Sequence, residues 1–485
     1  MSAGRTLQPW AHRSGAYALP GSILVRLALG ETPDRIPSAL DTRRGAAAAL
    51  DATGIGAVDR IVASFGGAVR AERVHASCRG LAQVGRRHLD WSDDEQLTGV
   101  ARLIRFDLAP GTHVGNLAIS LLQLGMVEAA IPNYVATVGL DGPVLAPQVG
   151  AVSVGSACPA RTRIRHAEAL AMEPGDAALI VGVVDSGIAG SHPEFTGRTR
   201  SGFDTVRLGA SELAGGVELL GDHRGIDIDP TDRFVGHGSG CAAIIGANGR
   251  GMPPGLCGAA QLLAIRSLGA ARFPGRAAAV GIGAIGDLDM GLKIAIDLGA
   301  RVVNMSFGTD DEALEPNAPR PHSETVAYAA RRGVILVAAS GNSGDVRTYW
   351  PAAFPDVIAV GSVGDDGRPS KFSTRGAHVA LSAPGERVLT ATIDGYQNAT
   401  GTSFAAPFVA GAAALLMARA ARRSHPLQPA AARAILCAST EPWGRDSVEG
   451  MGAGVLNVAA ALELLDAELD GEAIGMERGE EDNDD

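Results

Sequence analysis

The sequence predicts a doubly wound α/β domain with a mostly parallel sheet between residues 166 and 466. The first observation is a series of continuous apolar runs, which are typical of parallel strands buried on both faces. The second is that segments of helical character alternate with these runs. The predicted strands are 179–184, 261–268, 301–307, 334–340 and 357–363, and the predicted helices follow His237 and lie at 287–298 and 322–332.

A small α+β domain is predicted before this sheet, at residues 17–140. Its best-defined part, residues 101–138, has the pattern of a strand, a turn at Pro110-Gly111, an amphipathic helix and a second strand. Three further segments complete the predicted organisation of the chain. They are an N-terminal tail at 1–16, a Gly/Pro/Ser-containing linker at 141–165 and an acidic, disordered tail at 467–485.

Composition excludes several classes of partner. The formal net charge of −11 argues against general nucleic-acid binding, which needs a basic surface. The apolar stretch at 408–417 is shorter than the ~20 residues of a membrane span, so no membrane partner is expected. The first thirty residues lack the pattern of a signal peptide, because Arg26 interrupts their apolar run. We expect a cytoplasmic protein, with secretion as the alternative.

Asp185 directly follows the predicted strand 179–184, at the sheet edge where functional groups of α/β folds gather. Taken alone, an Asp at this place is most often a turn or helix-capping residue. The triplet Asp-Ser-Gly also occurs in aspartic proteases, which need two such carboxylates facing each other. This chain has one such triplet, set in an α/β pattern, so that alternative is weak.

His237 lies between two glycines at the start of a predicted helix, which favours a functional histidine over an ordinary structural one. His192 is the rival candidate base, but it shares a turn with Asp185 and is assigned a structural role. Ser403 opens a long apolar helix, where unpaired backbone N–H groups favour a developing oxyanion. The simpler interpretation, a helix-capping serine, is compatible with that role. Asn342 follows a buried strand and is a candidate oxyanion donor.

Together these segments resemble the subtilase family of serine peptidases, in the order Asp185, His237, Asn342, Ser403. The resemblance extends over residues 166–465 and includes VVDSGI, GHGSGCAA, NMSFG, VAASGNSG and GTSFAAPFVAGAAALL. The triad order also differs from that of α/β-hydrolases, where the serine comes first. This chain departs from the family pattern at three supporting positions, which have Ser239, Ala380 and Phe404.

The resemblance implies a serine endopeptidase with an Asp185–His237–Ser403 triad and an oxyanion hole at Asn342. It also implies that substrate pairs with two segments at strand ends. Their residues are Ser306, Phe307, Gly308, Ala339, Ser340 and Gly341. Residues 17–140 resemble a subtilase propeptide, which predicts an inhibitory domain and autocleavage between about Leu140 and Arg163. The acidic run 310–312 suggests a preference for basic substrate residues.

No cofactor is expected from the sequence. Structural calcium is common in the family, but the spacing of Asp222, Asp227, Asp229 and Asp232 matches no defined calcium loop, so calcium stays unassigned. Gly281, Gly283 and Gly286 match the glycine spacing of a dinucleotide-binding motif. That motif needs a strand directly before it, and the residues there have only a weak strand pattern, so a nucleotide site is not expected. Two other functions remain open. One is a non-catalytic peptide-binding protein with its N-terminal domain permanently docked, and the other is an esterase.

Overall fold

The computed structural model describes residues 18–78, 91–109, 111–138, 158–209, 212–213, 217–314, 318–444 and 449–481, with side chains described to residue 471. The predicted N-terminal tail and most of the predicted linker lie outside these residues, as does Pro110 of the predicted turn.

The N-terminal unit, residues 18–138, is an antiparallel sheet with short helices. Its described elements are β1 (Ala18–Leu27), α1 (Ala39–Arg43), α2 (Gly56–Ser64), β2 (Ala68–Arg73), α3 (Asp93–Thr98), β3 (Leu103–Leu108), α4 (Val114–Leu121) and β4 (Val127–Val138). The strands lie in the order β2-β3-β1-β4. The predicted strand–helix–strand of residues 101–138 is confirmed as β3, α4 and β4. Buried Ile23, Phe106 and Leu117 belong to a small core between this sheet and the helices.

The C-terminal unit, from residue 158 onwards, has a larger set of elements. They are α5 (Pro159–Arg163), α6 (His166–Met172), β5 (Ile180–Asp185), β6 (Thr199–Asp204), β7 (Glu212–Leu213), β8 (Val217–Leu220), α7 (His237–Gly246), β9 (Gln261–Arg266), β10 (Gly269–Arg272), β11 (Val280–Ala284), α8 (Ile285–Asp297), β12 (Val302–Met305), β13 (Thr309–Asp310), α9 (Ser323–Arg331), β14 (Ile335–Ala339), β15 (Tyr349–Trp350), β16 (Val357–Val363), β17 (Val379–Pro384), β18 (Val388–Ala391), β19 (Tyr396–Ala399), α10 (Thr402–Arg422), α11 (Pro429–Ala438) and α12 (Val458–Glu481).

A seven-stranded sheet in the order β17-β16-β14-β12-β5-β9-β6 forms the centre of this unit. Every neighbouring pair is parallel, and the five predicted strands are confirmed as β5, β9, β12, β14 and β16. Alternate residues face opposite layers. Val181 and Val183 pack with α7 and α10, whereas Ile180 and Val184 pack with α8 and α9. Because both faces are covered by helices, these strands have no polar face.

The two units share a second sheet, in the order β2-β3-β1-β4-β11-β10-β8-β7. The junction is the antiparallel pair β4–β11, in which Val138 is opposite Gly281 and Val135 is opposite Ala284. Residues of the N-terminal unit, among them Leu24 and Tyr134, belong to the same buried cluster as Leu288 of α8. The N-terminal unit is therefore docked on the α8 face of the C-terminal unit.

Two predicted boundaries are wrong. The linker was expected to reach residue 165, but α5 is helical from Pro159, and its Ala160 is buried in the core that contains α10. The disordered tail was expected from residue 467, but α12 continues to Glu481. Leu469 is buried in that core, and Asp470 pairs with Arg423. These contacts stabilise a helix that an acidic composition does not reveal.

Among the described residues, one helix is long and apolar enough to cross a membrane, namely α10. Within its most apolar stretch, 89% of the residues are buried inside the protein. Burial of this extent is that of a central core helix.

Candidate active site

Asp185 is the last residue of β5, a strand in the interior of the parallel sheet. Its side chain is fully buried, and Oδ1 accepts a hydrogen bond of 2.7 Å from the backbone N–H of Ser186. The position at the carboxyl end of the strand agrees with the sequence-based expectation.

His237 is the first residue of α7, and its Nδ1 lies 2.8 Å and 3.0 Å from the two carboxylate oxygens of Asp185. Gly238 makes this approach possible, because a Cβ at that position would collide with the backbone oxygen of Gly187. Burial lowers the pKa of His237, but the Asp185 carboxylate and the Cys241 thiol together raise it by more, so the pKa lies well above its usual value. The pair is therefore arranged to stabilise an imidazolium ion.

Ser403 is the second residue of α10, and backbone contacts position it firmly. Its carbonyl oxygen accepts hydrogen bonds from the Ser306 hydroxyl at 2.8 Å and the Cys241 thiol at 3.2 Å. The Ser403 hydroxyl donates to the carbonyl oxygen of Ser306 at 3.3 Å. Phe404, one of the departures from the family pattern, packs against the His237 ring with centroids 5.3 Å apart.

The Asn342 amide is oriented by Thr402, the residue before Ser403. Asn342 Oδ1 accepts hydrogen bonds of 2.9 Å from both the backbone N–H and the hydroxyl of Thr402. Since an N–H can pair only with the amide oxygen, these bonds fix the oxygen and leave Nδ2 as a donor. Asn342 and Ser403 line the same cavity, so this donor lies near the candidate nucleophile.

Five of the six predicted substrate-binding residues line that cavity, namely Ser306, Phe307, Gly308, Ala339 and Gly341. Ser340 is not among the residues that line it, and its pairing with substrate stays a prediction. Its side chain is buried, and its hydroxyl donates to the carbonyl oxygen of Thr374 at 3.1 Å. The reason is the alternation of side chains along β14 and its continuation, which turns Ser340 away from the cavity.

Strand β11 was not predicted from the sequence, although its glycines form a recognisable motif. Gly281 and Gly283 belong to this strand, which pairs with β4. A Cβ at Gly281 would lie 2.5 Å from Val138 Cγ2, and one at Gly283 would lie 2.5 Å from the oxygen of Ser267. The glycines therefore allow close backbone approach, which is one of the meanings of glycine in a strand. Thr137 and Val138, at the end of β4, line the cavity next to Ser403.

His192 has the structural role expected from its sequence context. Its Nδ1 accepts from the backbone N–H of Glu194 at 3.2 Å, and its Nε2 lies 3.1 Å from the oxygen of Gly395. It is thus held within its own turn and a neighbouring loop.

The acidic loop of residues 222–232, a candidate for calcium, makes contacts within the chain. Asp229 binds Arg233 at 2.7 Å, and Asp232 accepts from the Ser186 hydroxyl at 2.9 Å. Burial raises the pKa of Asp232 to about 6. In the part of the chain that the structure describes, the one convergent group of three metal-ligating side chains is Asp185, His237 and Cys241.

The acidic run 310–312 is also paired within the chain. Asp310 binds Arg347 at 2.6 Å, and the same Arg347 lies 3.2 Å from Glu312. Asp311 binds Arg320 at 2.8 Å and accepts from the Trp350 indole at 2.7 Å. These contacts compensate the charge on which the expected preference for basic substrate residues depended.

Comparison with known proteins agrees with this geometry. The sequence profile of the Subtilase family matches residues 176–454, more than half of the chain. A thermophilic serine proteinase of Bacillus sp. (strain AK1) is 34% identical over 240 residues, which cover 49% of this chain and 51% of that relative. Thermitase of Thermoactinomyces vulgaris is 30% identical over 251 residues, which cover 50% of this chain and 77% of thermitase.

Among solved structures, the epidermin leader peptide processing serine protease of Staphylococcus aureus superposes with a TM-score of 0.59. The alignment covers 74% of this chain and 91% of that structure at 18% identity, and so it supports the fold alone. The chain spans about half the length of the thermophilic proteinase, whereas it spans most of thermitase. From the profile match and these relatives, we conclude that the chain belongs to the subtilase family of serine endopeptidases.

Proposed function

We propose that the chain hydrolyses peptide bonds with Asp185, His237 and Ser403 as a catalytic triad, and that its N-terminal unit inhibits this triad until it is cleaved. The observation that carries the first part is the bond between His237 Nδ1 and Asp185, together with Ser403 and Asn342 on one cavity. The substrates are proteins or peptides, as the family implies.

In the proposed mechanism, His237 Nε2 takes the proton of the Ser403 hydroxyl as the oxygen attacks the peptide carbonyl. Asp185 holds Nδ1 and stabilises the imidazolium, which then gives its proton to the leaving amine. The Asn342 amide and the Ser403 backbone N–H donate to the oxyanion. In subtilisin, itself a member of this family, removal of such a side-chain donor is known to cost about 3 kcal/mol of transition-state stabilisation.

A fluorophosphonate probe tests the triad, because it reacts with an activated serine hydroxyl. Wild type should be labelled, and Ser403→Ala should not. Wild-type protein that is folded but stays unlabelled after its N-terminal unit has been removed would contradict the proposal. That result would favour the alternative of a non-catalytic peptide-binding protein. The docking of β4 on β11 is compatible with that alternative too, since it assumes a permanently docked N-terminal domain. Turnover of simple esters without turnover of peptides would favour the esterase.

The position of β4 supports the proposal that the N-terminal unit inhibits the triad. This strand runs along β11 by antiparallel pairing and ends at Val138, beside the cavity that Ser403 lines. An extended substrate that pairs with β11 would need the same backbone groups. The N-terminal unit and a substrate therefore compete for one strand edge.

Autocleavage is expected between about Leu140 and Arg163, a segment that overlaps residues 139–157 outside the described part of the chain. Intact-mass measurement of purified protein should find the cleaved form for wild type and the full-length form for Ser403→Ala. If both proteins remain full length while wild type is active, the zymogen part of the proposal is wrong and the triad stands.

A further inference from the structure

The cavity next to Ser403 is small. Its volume is about 70 Å³ while the N-terminal unit is docked, since Thr137 and Val138 of β4 line it together with residues of the segments Ser306–Gly308 and Ala339–Asn342. An apolar cavity of about 150 Å³ is known to accept a benzene ring. With β4 docked, the space beside Ser403 therefore suits a methyl or hydroxymethyl group. Once β4 is released, the room for a substrate side chain is set by the lining residues of the C-terminal unit.

Tyr349 has the largest side chain among the residues of the C-terminal unit that line this cavity. A Cβ at Gly341 would lie 2.7 Å from Tyr349 Cδ2, and a Cβ at Gly308 would lie 3.5 Å from Tyr349 Cδ1. The ring thus contacts both glycines, which belong to the two opposite walls of the cavity. A smaller residue at position 349 would leave the space between these walls open.

The backbone around Tyr349 is fixed on both sides. Tyr349 pairs with Asp310 in the short sheet of β13 and β15, and its carbonyl oxygen accepts from the N–H of Ala353 at 2.9 Å. The neighbouring Trp350 packs on Phe354 with ring centroids 4.5 Å apart. These contacts hold the backbone on both sides of Tyr349.

The position of the cavity identifies the substrate residue that it receives. A carbonyl carbon attacked by Ser403, with its oxygen held by Asn342, belongs to the residue just before the scissile bond. The side chain of that residue enters the space that Ser403, Asn342 and Tyr349 line. On the basis of the proposed function, we propose that Tyr349 closes this pocket, so that the enzyme cleaves after Gly, Ala or Ser and rejects aromatic and basic residues there.

The test uses peptides that differ only in the residue before the scissile bond, with Ala, Leu, Phe and Lys compared by kcat/KM. Wild type should prefer Ala over Phe. Tyr349→Ala should raise kcat/KM for the Phe peptide relative to the Ala peptide by at least about 10-fold, since one methylene group changes discrimination by ~10–200-fold. Tyr349→Phe, the matched control, keeps the ring and should keep the wild-type ratio.

Titration with the fluorophosphonate counts the active sites of each preparation, so that a misfolded variant is recognised. Tyr349→Val is a second variant and should give an intermediate ratio. Wild type that is labelled and cleaves Phe and Ala peptides equally well would overturn the role of Tyr349 and leave the triad in place. An unchanged ratio in the labelled Tyr349→Ala protein would also overturn it. Wild type that is never labelled would instead remove the proposed function.

Discussion

Helices α10 and α8 lie on opposite faces of the parallel sheet, and both are buried, but their surroundings differ in charge. The buried residues of α10 are almost all apolar, from Phe404 to Leu416. Helix α8 buries Asp287, Asp289 and Lys293 against the N-terminal unit and α9. One face is thus a conventional core, whereas the other contains ion pairs across an interface between two units.

Lys293 is the clearest example of a buried charge on the α8 face. Its Nζ donates to the carbonyl oxygen of Ala76 at 2.8 Å and pairs with Glu95 and Asp297, each at 2.6 Å. Burial raises the pKa of Glu95, but Lys293 and the backbone N–H groups of Ser92 and Cys78 together lower it by more, so the net pKa is lowered. Removal of one partner from a buried ion pair strongly destabilises a protein, because it leaves an uncompensated buried charge. The complete ion pair nevertheless adds little stability compared with well-packed apolar residues at the same positions. Buried ion pairs of this kind suit the surface of the proposed zymogen, in which the N-terminal unit is docked before cleavage and released after it.

Asp287 gives the same pattern at the other end of the interface. Its Oδ1 binds Arg105 of the N-terminal unit at 3.0 Å, and its Oδ2 accepts from the backbone N–H of Arg207 at 2.7 Å. Burial raises the pKa of Asp287 to about 6 despite these partners. The α8 face therefore depends on paired charges over much of its length.

The largest expected effect concerns Asp185 and His237, the proposed catalytic pair on the α10 side. Asp185→Asn should lower kcat by about 10⁴-fold, the size seen when the corresponding Asp of a serine-protease triad is replaced and the His tautomer becomes wrong. Hydrogen exchange of β4 should remain that of wild type, because Asp185 makes no described contact with the N-terminal unit. A loss below about 10-fold, measured with active-site titration, would contradict the triad assignment.

A smaller effect, of about 3–5 kcal/mol on docking, is expected for Lys293→Met because Glu95 and Asp297 would lose their buried partner. Leu415→Ala is the matched variant in the apolar core, with an expected cost of about 2–5 kcal/mol on global stability. Hydrogen exchange in a Ser403→Ala background should separate them. Of these two elements, Lys293→Met should speed hydrogen exchange in β4 but not in α10. Leu415→Ala should speed hydrogen exchange in both. Equal acceleration of both elements by Lys293→Met would mean that the two faces unfold as one unit.

The smallest expected effect is a shift in pH dependence. Burial lowers the pKa of His237, but Asp185 and Cys241 together raise it by more, so the histidine stays protonated to a higher pH than a free imidazole. As a general base it must be neutral, and kcat/KM should therefore fall on the acid side at a pH above the ordinary ~6.5. A pH–rate profile with its acid midpoint below 6 would contradict this direction.

Much of the fold could be predicted because its signals are local. Five strands of the parallel sheet are continuous apolar runs, and Asp185, Asn342 and Ser403 each stand at a strand end or helix start that the sequence reveals. The continuation of α12 past residue 466 was missed because its apolar contact there is made by Leu469 in a mostly acidic segment. Its stability comes from packing and from the pairing of Asp470 with Arg423, which no local pattern shows.

Short segments with fixed spacing were enough to establish the doubly wound sheet, the family and the residues of the candidate triad. What those segments face depends instead on tertiary packing. Packing places Gly281 opposite Val138, turns Ser340 away from the cavity and sets the Tyr349 ring between Gly308 and Gly341. These relations join residues that are distant in the chain, and the free space beside Ser403 depends on all of them at once.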